Sequence, residues 1–360
     1  MIDLCIGCGQ GGARIAREFS EIYEVEGRYL NLTDVDFSKF DVPRSHTFIL
    51  DEGGTGRDPV VGEQAVRKHF RQVEAEVRAA VTMTKAKIVL LAVGGGGGSG
   101  VGFLFPLLEY LTAKKRQVLL VFTLPQKREG LPAQPNALKA LSRLIDEGWT
   151  QQVTTMLVDN DYCLERYGQA GVAYWGRVNR GIAFALRRFY NVTNLEKHKN
   201  YLDAAAGYDA LDYREFLRIL LYGQGFLDIR EIQIDDLEDT ADLTGQLRSA
   251  SLLSGSMNIN TTKAYIASVA LPVEWRDQRN LHTRLDEVFA AVDKMTRTPY
   301  VLRSSYFNAK LRNARVSLLL AGVTRSHSLD KHLRQAEKNV AKYRGKQGVD
   351  TLDVSSLDFE

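Results

Sequence analysis

The sequence predicts an α/β chain: a Rossmann-like parallel sheet wrapped by helices, a long central helix, a smaller α+β domain, and a terminal helix with an acidic tail. Three observations predict it. Short apolar runs alternate with amphipathic stretches over the first 160 residues. Two glycine-rich turns each stand between an apolar run and a helical pattern, as in sheets that bind ligands at the carboxyl ends of their strands. At 360 residues the chain also exceeds the usual single-domain size, so two domains are expected. The expected division is a first domain over 1–171, the central helix over 172–200, a second domain over 201–326 and the terminal segment over 327–360.

Strands are expected at the apolar runs 1–6, 28–32, 46–50, 87–93, 117–124 and 153–158, and helices near 12–22, 59–80, 101–113 and 136–147. Residues 172–190 then place Val178, Ile182, Leu186 and Phe189 at helical spacing, a stripe that reads as a buried helix despite Gly176 and Gly181. Residues 211–223 read as a further helix, 226–234, 264–271, 299–306 and 315–323 as strands, and 280–295 as a helix. From Ser328, Leu329, Leu333, Ala336, Val340 and Tyr343 form one apolar face, with Lys331, Arg334, Lys338, Lys342 and Arg344 around it. An acidic tail with Asp350, Asp353, Asp358 and Glu360 follows. This segment reads either as a docked terminal helix or as a contact for another subunit or a partner.

Composition narrows the classes. Hydrophobic residues at 44% and charged ones at 25% are ordinary for a globular chain. The net charge of +3, from 47 basic against 44 acidic residues, is too balanced for a nucleic-acid footprint spread over the surface. No apolar run reaches the ~20 residues that cross a bilayer, and the start lacks a basic region before its apolar stretch, so a cytoplasmic protein without membrane contact is expected. Cys5, Cys8 and Cys163 are too few for a disulfide framework. The Cys5–Cys8 spacing lacks the second pair that a structural zinc site needs and lies inside a strand-like run, which argues against metal or redox roles. The six histidines form no H-E-x-x-H, and no serine sits in G-x-S-x-G, so hydrolases of those kinds have no support.

Gly7, Gly9 and Gly12 satisfy G-x-G-x-x-G between an apolar strand and a helix. Glycine lets backbone approach a phosphate, and the helix start supplies free N–H groups and positive partial charge. A dinucleotide site would also want an acidic residue closing the second strand, where this chain has Asn31, with Asp34 and Asp36 beyond it. The second turn, VGGGGGSGVG at 93–102, follows a buried-strand run and opens a helix. It makes a second anion cradle, which a dinucleotide fold does not need, and without G-K-[ST] it is no Walker loop.

With these residues the chain resembles the tubulin/FtsZ superfamily, whose phosphate loop reads G-G-G-T-G-[ST]-G. Gly94, Gly95, Gly96, Gly97, Gly98, Ser99 and Gly100 match it, with Gly97 in place of the threonine. LNLTDVDF at 30–37 looks like the family's second-strand loop, and GTGRDPVVGE at 54–63 is similar to the loop that closes over the γ-phosphate. TLPQKREG at 123–130 and LVDNDYCL at 157–164 resemble the loops on the ribose side. The match covers most of residues 1–220. Within the superfamily, VDN at 158–160, DYREF at 212–216 and the long terminal helix look most like the TubZ branch of plasmids and phages.

The resemblance implies a filament-forming GTPase that uses GTP or GDP with Mg2+. Its nucleotide contacts would be Gly9, Gln10, Gly11, Gly12, Asn31, Gly56, Arg57, Asp58, the run Gly94 to Gly100, and Asn160. Trp175 and Asn179 lie four apart on one helix face, where an aromatic plane can stack on a purine and an amide can pair with guanine's edge. Trp175 in the core is the competing reading. Asp212 and Glu215, three apart at a helix start, can polarise a water, with Asp209 as a neighbouring alternative to one of them and a capping pair as the competing reading. In the family the matching acidic pair completes the site of the next subunit, so hydrolysis requires head-to-tail polymerisation. Arg57, Asp58 and Ser99 are candidates beside the γ-phosphate.

The expected biology is plasmid segregation or phage DNA positioning through a DNA-binding adaptor, with no direct nucleic-acid contact. Alternatives are a division or cell-shape homologue of the FtsZ type, a non-hydrolysing regulator of filaments and, more remotely, an NAD-dependent oxidoreductase, which leaves the five-glycine run unexplained.

Overall fold

The structure, a computed structural model, describes residues 2–35, 37, 42–50, 53–130, 132–167, 172–195, 201–204, 208, 210–222, 225–237, 242–255 and 257–325. Asp36, Asp209 and the segment from 326, where a basic helix and an acidic tail are expected, lie outside them. The first half alternates strand and helix: β1 (Leu4–Cys8), α1 (Gly9–Tyr23), β2 (Glu26–Asn31), β3 (Thr47–Ile49), α2 (Pro59–Lys68), α3 (Phe70–Thr84), β4 (Ile88–Gly94), α4 (Gly98–Ala113), β5 (Gln117–Leu124), α5 (Ala133–Asp146), β6 (Thr154–Asp159) and α6 (Asn160–Tyr167). The central helix α7 (Val172–Val192) leads through β7 (Tyr201–Ala204) to α8 (Tyr213–Leu220). Then come β8 (Phe226–Ile234), α9 (Leu243–Ser249), β9 (Met257–Asn258), β10 (Ala264–Pro272), α10 (Leu281–Thr296), β11 (Tyr300–Asn308) and β12 (Ala314–Arg325).

One sheet runs through both halves in the order β3-β2-β1-β4-β5-β6-β8-β12-β10-β11-β7, with β9 beside β12. From β3 to β6 every pairing is parallel, as the alternation predicts. Beyond it the sheet is mixed: β8 pairs antiparallel with β12, and β12 antiparallel with β10. A short parallel pairing of Thr155 and Met156 with Phe226 and Leu227 joins the halves.

The central strands β1, β4, β5, β6 and β10 are buried on both faces, so their side chains sort by period two into two cores. Leu4, Ile6, Val89, Leu91, Leu120 and Phe122 pack on one side with α4, α5 and α10. Cys5, Leu90, Ala92, Leu119, Val121 and Met156 pack on the other with α1, α7 and α8. Each core draws residues from both halves of the chain. Cys5 and Cys8 fall on opposite faces, both buried and unbonded, so they cannot grip one ion.

Two expected boundaries move for physical reasons. The stretch 59–80 is two helices broken at His69, whose backbone (φ −106°, ψ 19°) leaves the helical region. The break lets α2 follow α4, with Gly62 seated on Gly102, while α3 runs to β1 and β2. Both glycine-rich turns enter helix early: Gly9 to Gly12 lie in α1, and Gly98, Ser99 and Gly100 form the first turn of α4.

Candidate functional site

The carboxyl ends of β1, β4, β5 and β6 converge on a cleft of about 670 Å³, large enough for a nucleotide-sized ligand. Two helix starts form its floor. Gly9 turns the chain from β1 into α1 with φ +66°, a left-handed conformation that glycine adopts without penalty. A Cβ there would lie 2.8 Å from the Gly100 backbone nitrogen, and a Cβ on Gly100 would lie 3.0 Å from the Cys8 carbonyl oxygen, so the two turns touch through bare backbone. Neither helix has a side-chain cap: Cys8 and Gly97 occupy the N-cap positions and accept nothing from the first turn. Among the described residues no side chain caps these helix starts, so their N–H groups and dipoles face the cleft and suit phosphate oxygens.

Most of the expected contacts come together here. Gly9, Gln10, Gly11, Gly56, Arg57, Gly94, Gly96, Gly97, Gly98, Ser99, Gly100, Asn160, Trp175 and Asn179 all line the cleft. Asn160 opens α6 behind the Asp159 carboxylate, which accepts the N–H groups of Asp161 at 3.0 Å and Tyr162 at 3.2 Å. Burial pushes the Asp159 carboxyl above its ordinary value. Trp175 and Asn179 stand one turn apart on α7, which is pinned to α1 by Arg180 reaching Glu18 at 2.9 Å and Glu21 at 3.3 Å.

Four expected contacts lie elsewhere. Gly12 packs under β4, where a Cβ would come within 2.1 Å of the Ala92 carbonyl oxygen. Gly95 lies against the Phe122 ring and donates its N–H to the Thr123 carbonyl at 2.9 Å. Asn31 is fully buried, its side-chain oxygen accepting the Leu32 N–H at 2.9 Å. Asp58 caps α2, accepting the Val60 N–H at 2.8 Å, and faces a neighbouring cavity of about 390 Å³. Its position before Pro59 explains this, since proline at the first helical position favours a capping residue just ahead of it.

The structure adds Arg14, Thr33, Thr55, Gln126, Arg128 and Glu129 to the lining. Arg14 stands four residues after Gln10, hence on the same face of α1, a signal available in the spacing. The 123–130 loop is braced internally: the Gln126 N–H donates to Glu129 at 2.8 Å, and Arg128 donates to the Gln126 side-chain oxygen at 2.6 Å. Lys127 donates its backbone N–H to Asp161 at 3.0 Å, tying that loop to α6. Among the described residues, Arg14, Arg57 and Arg128 line the cleft against the single carboxylate of Glu129, a balance that suits a polyphosphate.

Asp212 and Glu215 do not line this cleft. Asp212 is the N-cap of α8 and Glu215 lies exposed in its first turn. The Leu211 N–H bonds to the carbonyl of Val192, and the Tyr213 ring meets Tyr190 edge-on at 6.2 Å, which sets both acidic residues at the last turn of α7. Trp175 is on its first turn, so the helix separates cleft from acidic pair by about 25 Å.

The Tubulin/FtsZ family, GTPase domain, matches residues 4–167. No curated protein matches the chain. Among solved structures, a GTPγS-form protofilament of TubZ from Bacillus thuringiensis serovar israelensis is similar over 97% of this chain and 95% of its own, at TM-score 0.78 and 18% identity. CetZ2 from Haloferax volcanii, a GTPγS-bound protofilament, is similar over 96% of this chain and 100% of its own, at TM-score 0.74 and 18% identity. A type III plasmid segregation TubZ is similar over 97% and 94%, at TM-score 0.70 and 16% identity. Sheet order and the paired glycine-rich turns agree with these likenesses: residues 4–167 match the Tubulin/FtsZ GTPase domain, and the chain as a whole shares the fold of these structures.

Proposed function

We propose that the chain binds GTP in the cleft, polymerises head to tail, and hydrolyses GTP with Asp212 and Glu215 of the next subunit. The observation that carries this reading is the placement of an arginine-lined cleft and an exposed acidic pair at opposite ends of α7, about 25 Å apart. One subunit cannot bring them together, whereas a second copy stacked along that axis can. The two glycine turns hold the phosphates by backbone N–H groups, Arg57 neutralises charge at the loop over the γ-phosphate, and Trp175 and Asn179 hold the guanine. Glu215 and Asp212 then orient and polarise the attacking water.

Mg2+ would be held beside the hydroxyls of Ser99 and Thr55, hard oxygen donors that line the cleft. Among the described residues no group of three acidic, histidine or cysteine side chains converges to hold it instead. When bound, it would neutralise phosphate charge.

The functional units would be 1–171 for nucleotide binding, 172–200 for the central helix, 201–326 for activation and 327–360 for contacts with a subunit or adaptor. We assign the filament to plasmid segregation or phage DNA positioning. The likeness to segregation TubZ supports this, and the balanced charge leaves DNA to an adaptor. No described helix is long and apolar enough to cross a membrane.

The test is right-angle light scattering of purified protein with Mg2+ and GTP, GDP, ATP or NADH. A rise with GTP alone supports the reading. NADH binding with no response to GTP would sink it.

A further inference from the structure

The loop over the phosphate end of the cleft is held from outside by a residue that nothing above assigns. Residues 55–58 form a tight turn, closed by the Asp58 N–H on the Thr55 carbonyl at 2.8 Å. Its two central residues are both left-handed, Gly56 at φ +54° and Arg57 at φ +67°. For Arg57, which has a Cβ, that conformation is disfavoured and needs support from its surroundings.

The support comes from Asn136 on α5. Its side chain is 9% exposed, and its amide nitrogen donates to the Arg57 carbonyl at 2.6 Å and reaches the Gly96 carbonyl at 3.5 Å. An amide nitrogen carries two hydrogens, so one side chain can serve both carbonyls. One of those carbonyls belongs to the loop, the other to the five-glycine turn. The two are already in contact: a Cβ on Gly98 would fall 2.1 Å from the Thr55 hydroxyl. The five-glycine turn meets α5 as well, since a Cβ on Gly96 would lie 3.0 Å from that of Ala133. Asn136 thus ties three separate segments together at the spot where Arg57 enters the cleft.

We propose that Asn136 is the positioning residue that holds the Arg57 loop in place, and that the loop so held distinguishes a nucleoside triphosphate from a diphosphate. The second half rests on the GTP reading above; the first does not. The segments Asn136 joins line the cleft with Gly56, Arg57 and Gly96 to Ser99, whereas Asn160, Trp175 and Asn179, which the GTP reading assigns to the nucleoside, lie on other elements. Losing the amide should therefore weaken binding of the longer phosphate chain more than the shorter one.

The test uses the full chain with Asn136→Leu, which keeps volume without a donor, Asn136→Asp, which sets a carboxylate against the two carbonyls, and Asn136→Gln, which keeps the amide. Two readouts are taken: amide hydrogen exchange over 53–62 in the nucleotide-free protein, and affinities for fluorescent GTP and GDP analogues. The expected result is faster exchange at 53–62 in Leu and Asp variants, with β4 and β5 unchanged, and partial recovery in the Gln variant. GTP affinity should fall about tenfold, the upper range for one lost hydrogen bond, with GDP affinity changed less than about twofold. Unaltered exchange at 53–62 overturns the positioning role, and equal losses for both nucleotides overturn the discrimination. A wild-type chain that binds neither analogue defeats the GTP reading and the discrimination with it, while the exchange measurement still decides the positioning role.

Discussion

The carboxylate of Asp212 accepts the backbone N–H of Glu215 at 2.9 Å, as well as that of Arg214 at 2.8 Å. The first acidic residue of the pair therefore builds the helix start that presents the second. This dual duty separates the variants. Asp212→Ala should lower stability by about 1 kcal/mol, the usual cost of a lost N-cap, and also suppress GTP hydrolysis. Asp212→Asn or Asp212→Ser keeps an oxygen at the cap and should suppress hydrolysis with little change in Tm. Thermal unfolding beside phosphate release checks both.

Neighbouring glycines in the five-glycine turn should respond oppositely to a side chain. A Cβ on Gly97 meets nothing within 4 Å, and its extended backbone (φ −102°, ψ 150°) suits an N-cap. Gly97→Thr should leave stability within a few tenths of a kcal/mol. A Cβ on Gly98 falls 2.1 Å from the Thr55 hydroxyl and 2.7 Å from the Asp58 carbonyl oxygen, so Gly98→Ala should cost about 1–3 kcal/mol and displace the Arg57 loop. Denaturant midpoints of the two variants decide it.

Base recognition divides between stacking and hydrogen bonding. Trp175→Ala should weaken GTP and GDP alike by about 10- to 100-fold, corresponding to about 1–3 kcal/mol of stacking. Asn179→Leu should lose selectivity for guanine over adenine nucleotides, because the purine would still stack without its polar edge being read. Competition titrations with GTP and ATP measure both effects.

The half-buried cap at Asp159 makes a pH-dependent contribution. Its carboxyl sits above the ordinary value, so the folded chain holds that proton more tightly than the unfolded chain. The wild type is stabilised as pH falls from neutral toward the ordinary aspartate range, and the charged form is a burden at neutral pH. Asp159→Asn retains the oxygen that accepts from Asp161 and Tyr162 without the charge. Its Tm should exceed that of the wild type at pH 7, and the gap should narrow on acidification. A gap that widens on acidification would contradict the assignment.

Much of this was legible in residue order alone. β1, β4 and β5 are near-continuous apolar runs, β1 and β4 leading into glycine-rich turns, and the alternation of such runs with amphipathic stretches allows few topologies other than a parallel sheet. The pair Trp175 and Asn179 is visible because helical spacing holds it on one face. What escaped reading has physical reasons. β7 and β9 are four and two residues long, too short for a period to show. Asn31 sits in a motif like that of a ligand contact; its burial and its bond to the Leu32 N–H are not written in spacing. Asp58 did carry a signal, the proline after it, which marks a helix cap rather than a free carboxylate. Arg128 and Asn136 stand on elements brought beside the glycine-rich turns only by the fold.

If hydrolysis happens between subunits, phosphate release per subunit depends on protein concentration, a dependence measured for wild type and Glu215→Gln with sedimentation in parallel. Turnover should be near zero below a threshold concentration and rise steeply once polymer sediments. Glu215→Gln should sediment with GTP at the same threshold while releasing phosphate at least about 100-fold more slowly. A turnover per subunit that stays constant down to dilutions without polymer, or a Glu215→Gln polymer that hydrolyses at the wild-type rate, would contradict it.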